Sequence, residues 1–518
     1  MKKLVKIKRT AVFVLVVMLI FALIGCGTNS TSSNTQTTGQ KADQVVIAQG
    51  ADALTLDPQN QSDTNTGNVV HNIFSAPLRR DKDMSIKPSL ATEYKRLSDT
   101  EWELKLRQGV KFHNGEDFNA DAVKFSLERL LDPKNKLPQA SYFSNIKKCE
   151  VVDPFTIRFT TDGPDPIFLA RMTNLLVLPP KYFAEKGVEY FAKNPVGTGP
   201  YKFVEWQKDD HITLAADPNF YLGKPAISKV IFRAVPEMAT RIAGLAGGQI
   251  DVVAGVPSDQ VASLQSNNNL KVVADPSALI QMINFNPLKA PANIKEFRLA
   301  VASAINVEPI AKDLLGGYAT QIDVPISTTI PNAPKDVKRI SYDPEKAKEY
   351  LKQAGLSNVE VDLNCEPTRA PFALEITQVI AQQLAAVGIK ANVKPVEFGQ
   401  YTTSIKNKTV SPIFQQVGNN IWFDTDPQIV AFYSSAGPLS TYSNKKVDGL
   451  IDQGKKTTDE SKRVGIYKQA FETIRDDVGG IALIQYKNIT VMNNKLDFTP
   501  RSDGRIWAFD ITPLQSKK

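Results

Sequence analysis

Apolar and polar residues alternate along this chain with two different periods, which predicts strands interleaved with helices. From Glu101 to Leu106, charged residues alternate with apolar ones, the period of two that is typical of a half-buried strand. A helix is predicted shortly afterwards, because Asn119 can cap it and Val123, Leu127 and Leu130 share one face. The pattern therefore favours a strand followed by an amphipathic helix.

The same alternation recurs through the second half of the chain. An Asp-Pro pair at the start and a glycine at the end predict a helix over residues 343–355. A second helix is predicted over residues 372–387, with a strand over 389–393 directly after it. Near the C-terminus another helix leads into a strand over residues 481–486. Together with a first strand at 45–48, these elements predict a mixed α/β fold.

The N-terminal segment has the pattern of an export signal. Residues 1–9 contain five cations and no acid, and an unbroken apolar run of 14 residues follows from 11 to 24. A membrane-spanning helix needs about 20 apolar residues. The segment is therefore predicted to be a signal peptide, residues 1–25, that is removed in the mature protein.

Cys26 is the predicted attachment site of a lipid. The preceding Leu23-Ile24-Gly25 resembles the lipobox of bacterial lipoproteins, whose cysteine becomes the acylated first residue. An ordinary secretory signal with a chance cysteine is the alternative, but Leu23 fits poorly where cleavage requires a small residue. Residues 27–43 contain almost no apolar side chain and are predicted to be a flexible tether. We therefore expect an extracytoplasmic protein that is anchored to the cell membrane.

Charge and cysteine content narrow the function. The formal net charge of +8 falls to +3 without the signal peptide, and no block of five basic residues follows, so nucleic-acid binding is not expected. After Cys26 only Cys149 and Cys365 remain, without metal-binding spacing, and a disulfide between them has no support. The three histidines form neither an HxxxH nor an HExxH motif. No metal, no cofactor and no enzymatic activity is predicted.

Residues 195–201, Pro-Val-Gly-Thr-Gly-Pro-Tyr, look at first like a phosphate-binding loop. The Lys-Ser/Thr pair of a P-loop is absent, and the residues after Gly199 have the pattern of a strand. No helix N-terminus is therefore expected there to hold an anion. A tight turn between domains is predicted instead.

The segment 418–427 is the strongest candidate for ligand binding, since it places Asn420, Trp422, Asp424 and Asp426 in a predicted loop after a strand. An aromatic face beside a carboxylate can hold a ligand ammonium group. A structural alternative has Asp426 capping the next helix and Trp422 packing in the core. A hydrolase using Asp424 and Asp426 is the less favoured alternative, because glycosidase carboxylates straddle the substrate from different elements.

Several motifs together resemble the extracellular solute-binding proteins of peptide and nickel ABC importers, family 5. The most specific match runs through Leu-Ala-Thr-Glu-Tyr at 90–94, Trp-Glu-Leu-Lys-Leu-Arg at 102–107, Gly-Val-Lys-Phe-His-Asn-Gly at 109–115 and Phe-Asn-Ala-Asp-Ala-Val at 118–123. Supporting matches occur in the same order at residues 56–58, 196–201, 219–221, 284–286, 342–347 and 426–427.

The resemblance implies an α/β, two-lobed periplasmic-binding-protein-like fold of class II, with mixed sheets, flanking helices and a hinge between the lobes. The implied division is lobe 1 over residues 44–281, with an extra subdomain inserted at about 82–198, lobe 2 over 282–491, and a C-terminal return to lobe 1 over 492–518. Crossings between the lobes are expected near 280–286 and 490–494. Closure of such lobes removes the ligand from water and strengthens each polar contact.

The resemblance also implies that a di- or oligopeptide is captured and delivered to an ABC permease and its ATPase by a monomeric protein. Peptide-binding members hold the peptide amino group with a loop aspartate preceded by Gly-Trp. Here Trp422 and Asp424 are displaced from that spacing, and Asp424 is the predicted ammonium partner. Dipeptide-specific members place an arginine where this chain has Leu374 or Glu375, and Arg369 lies one turn earlier. A nickel chelate, haem, an opine or another small solute therefore stays open as the ligand, as does a chaperone-like or sensory role.

Overall fold

A computed structural model describes residues 43–514 of the chain, so the predicted signal peptide, Cys26 and nearly all of the tether lie outside the described residues. The strands are β1 (Gln44–Gln49), β2 (Leu78–Arg80), β3 (Ile86–Pro88), β4 (Ala91–Arg96), β5 (Glu101–Leu106), β6 (Ile146–Asp153), β7 (Thr156–Thr161), β8 (Tyr201–Gln207), β9 (His211–Ala216), β10 (Lys229–Ala234), β11 (Val252–Ala254), β12 (Leu270–Phe285), β13 (Ala319–Gln321), β14 (Val359–Cys365), β15 (Ile389–Pro395), β16 (Ile413–Asn419), β17 (Gly480–Asn493), β18 (Leu496–Asp497) and β19 (Thr512–Pro513).

The α-helices of the described residues are Thr64–Ile73, Ala120–Leu131, Phe168–Met172, Pro180–Lys186, Val188–Phe191, Met238–Ala246, Val261–Gln265, Lys295–Ala304, Pro344–Gln353, Ala373–Ala385, Phe398–Lys406, Thr425–Tyr433, Lys445–Lys456 and Glu460–Asp476. Short 3-10 turns occupy Pro138–Tyr142, Ser258–Gln260 and Ala508–Asp510, and one π-helical turn occupies Ile310–Leu314. Within residues 43–514, no helix is both long and apolar enough to cross a membrane.

The largest sheet is mixed and runs in the order β15-β14-β16-β12-β17-β11-β1-β10-β9-β8, with β13 beside β17. β1 pairs in parallel with β10 and β11, and β14 pairs in parallel with β15 and β16. β12 and β17 pair antiparallel over most of their length, with a break in register between Pro276 and Ile280. That break lies next to the first expected crossing between lobes. The boundaries of the lobes stay a prediction.

A smaller antiparallel sheet, in the order β4-β5-β7-β6, has a hydrophobic core of its own. The apolar side chains of β5 point into it, and Trp102 stacks on Phe168 with 4.9 Å between ring centroids. The helix Ala120–Leu131 covers this sheet with Val123, Leu127 and Leu130. This core lies within residues 78–177, which overlap most of the predicted inserted subdomain.

The capping residues predicted from the sequence begin their helices. The Asn119 side chain accepts a hydrogen bond from the N–H of Ala122, and the Asp343 side chain accepts one from the N–H of Lys346. The last long strand extends further than predicted, since β17 runs to Asn493 rather than ending at Tyr486. Polar residues after Tyr486 interrupt the apolar pattern, but β11 and β12 pair with the backbone on both sides of β17 there.

The glycine-rich segment 195–201 leads into β8 through a bend at residues 198–200, and its predicted position between domains stays a prediction. An added Cβ on Gly197 would lie 2.1 Å from the carbonyl oxygen of Ile73, and one on Gly199 would lie 2.6 Å from that of Asn72. The N–H of Gly199 donates to the Ile73 oxygen at 2.8 Å. These glycines therefore permit a close backbone approach to the end of the helix Thr64–Ile73.

Candidate ligand-binding cavity

A cavity of about 440 Å³ opens beside the loop that joins β16 to the helix Thr425–Tyr433. Binding sites for small molecules typically have volumes of about 300–1,000 Å³ and mix apolar walls with a few polar groups. We call it the loop cavity. Its lining comprises Arg80, Met84, Ser85, Ile86, Tyr94, Trp102, Pro166, Ile167, Leu169, Ala170, Pro331, Asn332, Trp422, Phe423, Asp424, Thr458, Glu460 and Arg463.

Asp424 lies at this cavity and its carboxylate is already well supplied with donors. Arg463 donates to both carboxylate oxygens, with 2.5 Å from its Nη1 to Oδ2. Asn332 donates to Oδ2 at 2.8 Å, and the N–H of Asp426 donates to Oδ1 at 2.9 Å. A carboxylate offers about four lone-pair directions, so a ligand ammonium group would have to compete with these donors. The Asp424–Arg463 pair is nearly fully buried, with side-chain exposures of 10% and 4%.

Asp424, and not Asp426, caps the helix Thr425–Tyr433, which corrects the structural alternative raised for Asp426. Asp426 lies in the first turn, where the hydroxyl of Tyr467 donates to its Oδ1 at 2.6 Å. Burial raises the pKa of Asp426 above its usual range, although the hydrogen bond from Tyr467 and the charge of Arg463 oppose the shift. Asp424 is one of the described residues that line the loop cavity, whereas Asp426 is not. The two acids therefore do not flank a common site. This arrangement counts against a paired-carboxylate hydrolase.

Trp422 is partly exposed and forms a wall of the cavity instead of packing in the core. Its ring meets Tyr142 edge to face at 4.9 Å, and the guanidinium of Arg171 lies 5.3 Å from its centre. These neighbours come from the segment that carries the smaller sheet. They hold the indole in place in the wall of the cavity, with the Arg171 guanidinium over its ring.

The next residue, Phe423, adopts a left-handed backbone with φ of 49°. Such a conformation costs a bulky residue about 1–3 kcal/mol and persists only where the surroundings enforce it. Arg80 supplies part of that enforcement, because its guanidinium lies 5.2 Å from the Phe423 ring and donates to the carbonyl of Trp422. The loop is thus held in one defined shape.

The other two predicted site residues have different positions. Asn420 is buried behind the loop, where its Nδ2 donates to the carbonyl of Asp424 at 2.6 Å and its Oδ1 accepts from the N–H of Trp422 at 3.1 Å. Arg369 is exposed, with its guanidinium 4.7 Å from the ring of Phe398. Asn420 therefore braces the loop. Arg369 is not among the described residues that line the loop cavity.

Sequence reasoning missed three charged residues of the cavity, Arg80, Glu460 and Arg463. They come from a strand end and from the helix Glu460–Asp476, far from residue 424 in the chain. One available signal was the pair Arg79-Arg80, directly after the apolar run that ends at Leu78.

Two smaller cavities lie nearby: the first shares Arg80 with the loop cavity, and the two share Arg501, Arg505 and Ile506 with each other. The first, of about 70 Å³, is lined by His71, Arg79, Arg80, Arg501 and Arg505 together with apolar and small side chains. The second, of about 260 Å³, is lined by Arg241, Arg501 and Arg505 and by several amides and hydroxyls. We call these two the arginine cavities. Burial lowers the pKa of His71 well below its usual range, so its imidazole is neutral at pH 7.

The remaining candidate chemistry is inert in the part of the chain that the structure describes. No group of three His, Cys, Asp or Glu side chains within residues 43–514 is arranged to hold a metal ion. Cys149 and Cys365 are both free thiols. Burial raises the pKa of Cys149 to about 12 and that of Cys365 to about 11, so neither is a thiolate at neutral pH.

Comparisons with known proteins give a consistent result. The profile of bacterial extracellular solute-binding proteins, family 5 middle, matches residues 85–439. The glutathione-binding protein GsiB of Escherichia coli O1:K1 is 31% identical over 473 residues, which cover 88% of this chain and 91% of that protein. The periplasmic binding protein DppA of Helicobacter pylori, solved with the peptide STSA, has a TM-score of 0.72 and 28% identity and covers 91% of this chain and 98% of its own.

A further solved structure, HbpA2 of Haemophilus parasuis, is similar in fold, with a TM-score of 0.84 at 21% identity, covering 91% of this chain and 100% of its own. These likenesses confirm the predicted fold class, an α/β periplasmic-binding-protein-like fold with two lobes, mixed sheets and flanking helices.

Proposed function

Because the chain belongs to family 5 of the bacterial extracellular solute-binding proteins, we propose that it captures a peptide or peptide-like solute in the loop cavity for an ABC importer. The family resemblance read from the sequence motifs is thereby confirmed. The observation that carries the proposal is a cavity of about 440 Å³ with an indole wall and carboxylates beside it. GsiB, a glutathione-binding protein, and DppA, solved with STSA, support a small peptide as the ligand class.

The ligand is held between lobe 1 and lobe 2, with their boundaries as expected from the sequence. Contacts across the loop cavity support this placement, since Trp422 meets Tyr142 and Arg80 donates to the Trp422 carbonyl. The protein binds without catalysis, acts as a monomer and hands its ligand to a permease and its ATPase.

Calorimetry with glutathione and a mixed set of di- to hexapeptides tests the proposal. Trp422→Ala should weaken binding of the best peptide about 10-fold, the equivalent of about 1.4 kcal/mol, since an aromatic wall is lost. Ile421→Ala is the matched control, because Ile421 is 41% exposed and is not among the described lining residues. No heat and no rise in melting temperature with any of these probes would remove the peptide assignment.

Mutation can show whether the ligand ammonium group is bound by Glu460 or by Asp424, which already pairs with Arg463. Asp424 was predicted for this role, yet Arg463 already binds its carboxylate. Glu460 lines the same cavity and forms no salt bridge with any described residue, so it competes for the role. Glu460→Gln should weaken a free-amine peptide but leave its N-acetyl form unchanged. If Asp424→Asn, and not Glu460→Gln, weakens the free-amine peptide without affecting its N-acetyl form, Asp424 is the ammonium partner.

The lipid on Cys26 is the proposed anchor to the outer face of the cytoplasmic membrane or to the periplasmic side. Acyl chains contribute about 0.8 kcal/mol per buried methylene, and more than one chain is needed for a firm hold. Cys26→Ser should move the protein from the membrane fraction to the soluble fraction, whereas Cys149→Ser should leave it in place. Retention of Cys26→Ser on the membrane would contradict the anchor.

A further inference from the structure

Two arginines beside the cavities form no salt bridge among the described residues. Arg80 is 8% exposed, and its guanidinium donates to the carbonyl oxygens of Met84 and Trp422. Arg505 is partly buried and donates to the amide oxygen of Asn174 at 2.8 Å. Among residues 43–514, neither guanidinium forms a salt bridge with a carboxylate. The Nε atom of Arg80 is also buried without any hydrogen-bond partner among the described residues.

Two of the three neighbouring acids are paired with other arginines. Asp503 receives two hydrogen bonds from Arg501, at 2.8 and 3.0 Å, and Asp81 lies 3.4 Å from Arg79. Asp510 lies 3.9 Å from Arg501, and its buried Oδ2 has no hydrogen-bond partner among the described residues. The four arginines here carry one charge more than the three aspartates, and Arg80 and Arg505 are the two without a salt bridge.

Arg80 and Arg505 both line the smaller arginine cavity, and only Arg505 also lines the larger one. No aspartate or glutamate occurs among the described lining residues of either cavity. Arg80 also lines the loop cavity, so the leftover charge lies next to the proposed ligand site.

An isolated buried charge is costly unless an opposite charge or several hydrogen bonds compensate for it. Burial lowers the pKa of Arg80 to about 10, yet the group stays cationic at pH 7. Guanidinium groups bind carboxylates through paired, charge-assisted hydrogen bonds. We propose that the smaller arginine cavity is an anion subsite in which Arg80 and Arg505 hold a carboxylate of the bound ligand, so that acidic ligands are preferred.

This inference rests on the proposed function, and it names the ligand class more narrowly. The carboxylate can be the C-terminus of a peptide or an acidic side chain. Three matched tripeptides separate these sources: Ala-Ala-Ala, its C-terminal amide, and Ala-Ala-Glu with its C-terminus amidated. Succinate and its diamide form a pair that contains no peptide.

Calorimetry of the full chain with these probes should show the free acid binding about 10- to 100-fold more tightly than its neutral counterpart, as expected for a charge-assisted bond. Arg505→Met should abolish that preference and leave the affinity for the amide unchanged, because Arg505 does not line the loop cavity. Arg233→Met is the control, because Arg233 is exposed on β10 away from the described cavity linings.

The outcomes are separable. If acid and amide bind equally, or if Arg505→Met weakens both alike, the anion subsite is wrong even though peptide binding stands. If no peptide binds but succinate raises the melting temperature in wild type and not in Arg505→Met, the subsite stands and the peptide assignment fails. If neither succinate nor any acidic peptide acts on the wild type, the subsite is refuted.

Discussion

The proposed binding region has two ends, the loop cavity and the arginine cavities, and buried charge is compensated differently at each. At the loop cavity, Asp424 and Arg463 neutralise each other through bonds to both carboxylate oxygens. At the arginine cavities, Arg80 and Arg505 face open volume without an acid of their own among the described residues. At the loop cavity the protein itself supplies both opposite charges, whereas at the arginine cavities the proposed ligand supplies the negative charge. The comparison suggests that one end shapes the site and the other selects the ligand.

The largest expected effect on stability comes from breaking the buried Asp424–Arg463 pair at the loop cavity. Asp424→Ala leaves Arg463 buried without a counter-charge and also removes the cap of the helix Thr425–Tyr433. Loss of one partner from a buried ion pair costs about 3–5 kcal/mol. Urea unfolding followed by circular dichroism should show a loss of that size. The double variant Asp424→Ala/Arg463→Met should lose less than the sum of the two single variants.

An exposed ion pair provides the contrast for that measurement. Lys390 and Glu360 lie 3.0 Å apart, with side-chain exposures of 69% and 57%. Such pairs contribute at most about 1 kcal/mol, because water and salt screen them. Lys390→Met should therefore leave the urea midpoint nearly unchanged. A loss equal to that of Asp424→Ala would show that burial does not distinguish the two pairs.

A second, smaller effect concerns Asp503, the acid that Arg501 binds beside the arginine cavities. Burial disfavours the charged form of Asp503, but the charge and hydrogen bonds of Arg501, with a smaller contribution from Arg505, prevail and lower the pKa of Asp503 to about 2. A carboxyl whose pKa is lower when folded than when unfolded stabilises the fold above its unfolded pKa, and this contribution disappears as the pH falls through the folded pKa. The shift corresponds to about 2 kcal/mol.

The measurement is the unfolding free energy between pH 5 and pH 2. Wild-type stability should fall across the lower part of this range, from about pH 4 to about pH 2. Asp503→Asn should flatten that part of the profile. If the variant keeps the full slope, Asp503 is not the group responsible.

A third effect, at Asp426 near the loop cavity, changes stability with pH in the opposite direction to that of Asp503. Burial raises the pKa of Asp426, so its contribution to stability is fully present below its unfolded pKa and is lost as the pH rises through the folded value. Tyr467 and Arg463 oppose the shift, so we expect the change to be smaller than for Asp503. Asp426→Asn should remove this loss, and Tyr467→Phe should increase it. Equal profiles for wild type and Asp426→Asn would refute the assignment.

Local signals predicted most elements of the fold but few contacts of the site. The caps Asn119 and Asp343 and the alternating pattern of β5 depend on neighbours within a few residues, and each was predicted correctly. The end of β17 was not, because pairing with β11 and β12 outweighs the local polarity after Tyr486.

The site divides in the same way. Trp422 and Asp424 could be predicted as candidates because they lie together in a loop with a recognisable composition, and both line the loop cavity. Arg463 binds Asp424 across 39 positions, and Arg501 reaches the backbone of Arg80 across 421. Such partners depend on the order of strands in the large sheet, which no local pattern encodes. The charge left over on Arg80 and Arg505 therefore becomes visible only in the folded chain.

The smallest expected effect on stability, that of Arg505→Met, tests most directly whether the loop cavity and the arginine cavities differ. Arg505→Met removes a cation that forms no salt bridge among the described residues and gives up one side-chain hydrogen bond, the one to Asn174. Burial disfavours this charge while Asp503 favours it, and the two effects oppose each other, so we expect the unfolding free energy without ligand to change by less than about 1 kcal/mol. Arg501→Met is the matched control, since it separates Asp503 from its partner and should be clearly destabilising. If Arg505→Met destabilises the protein as much as Arg501→Met does, Arg505 is a structural residue like Arg463, and the two ends of the region do not differ.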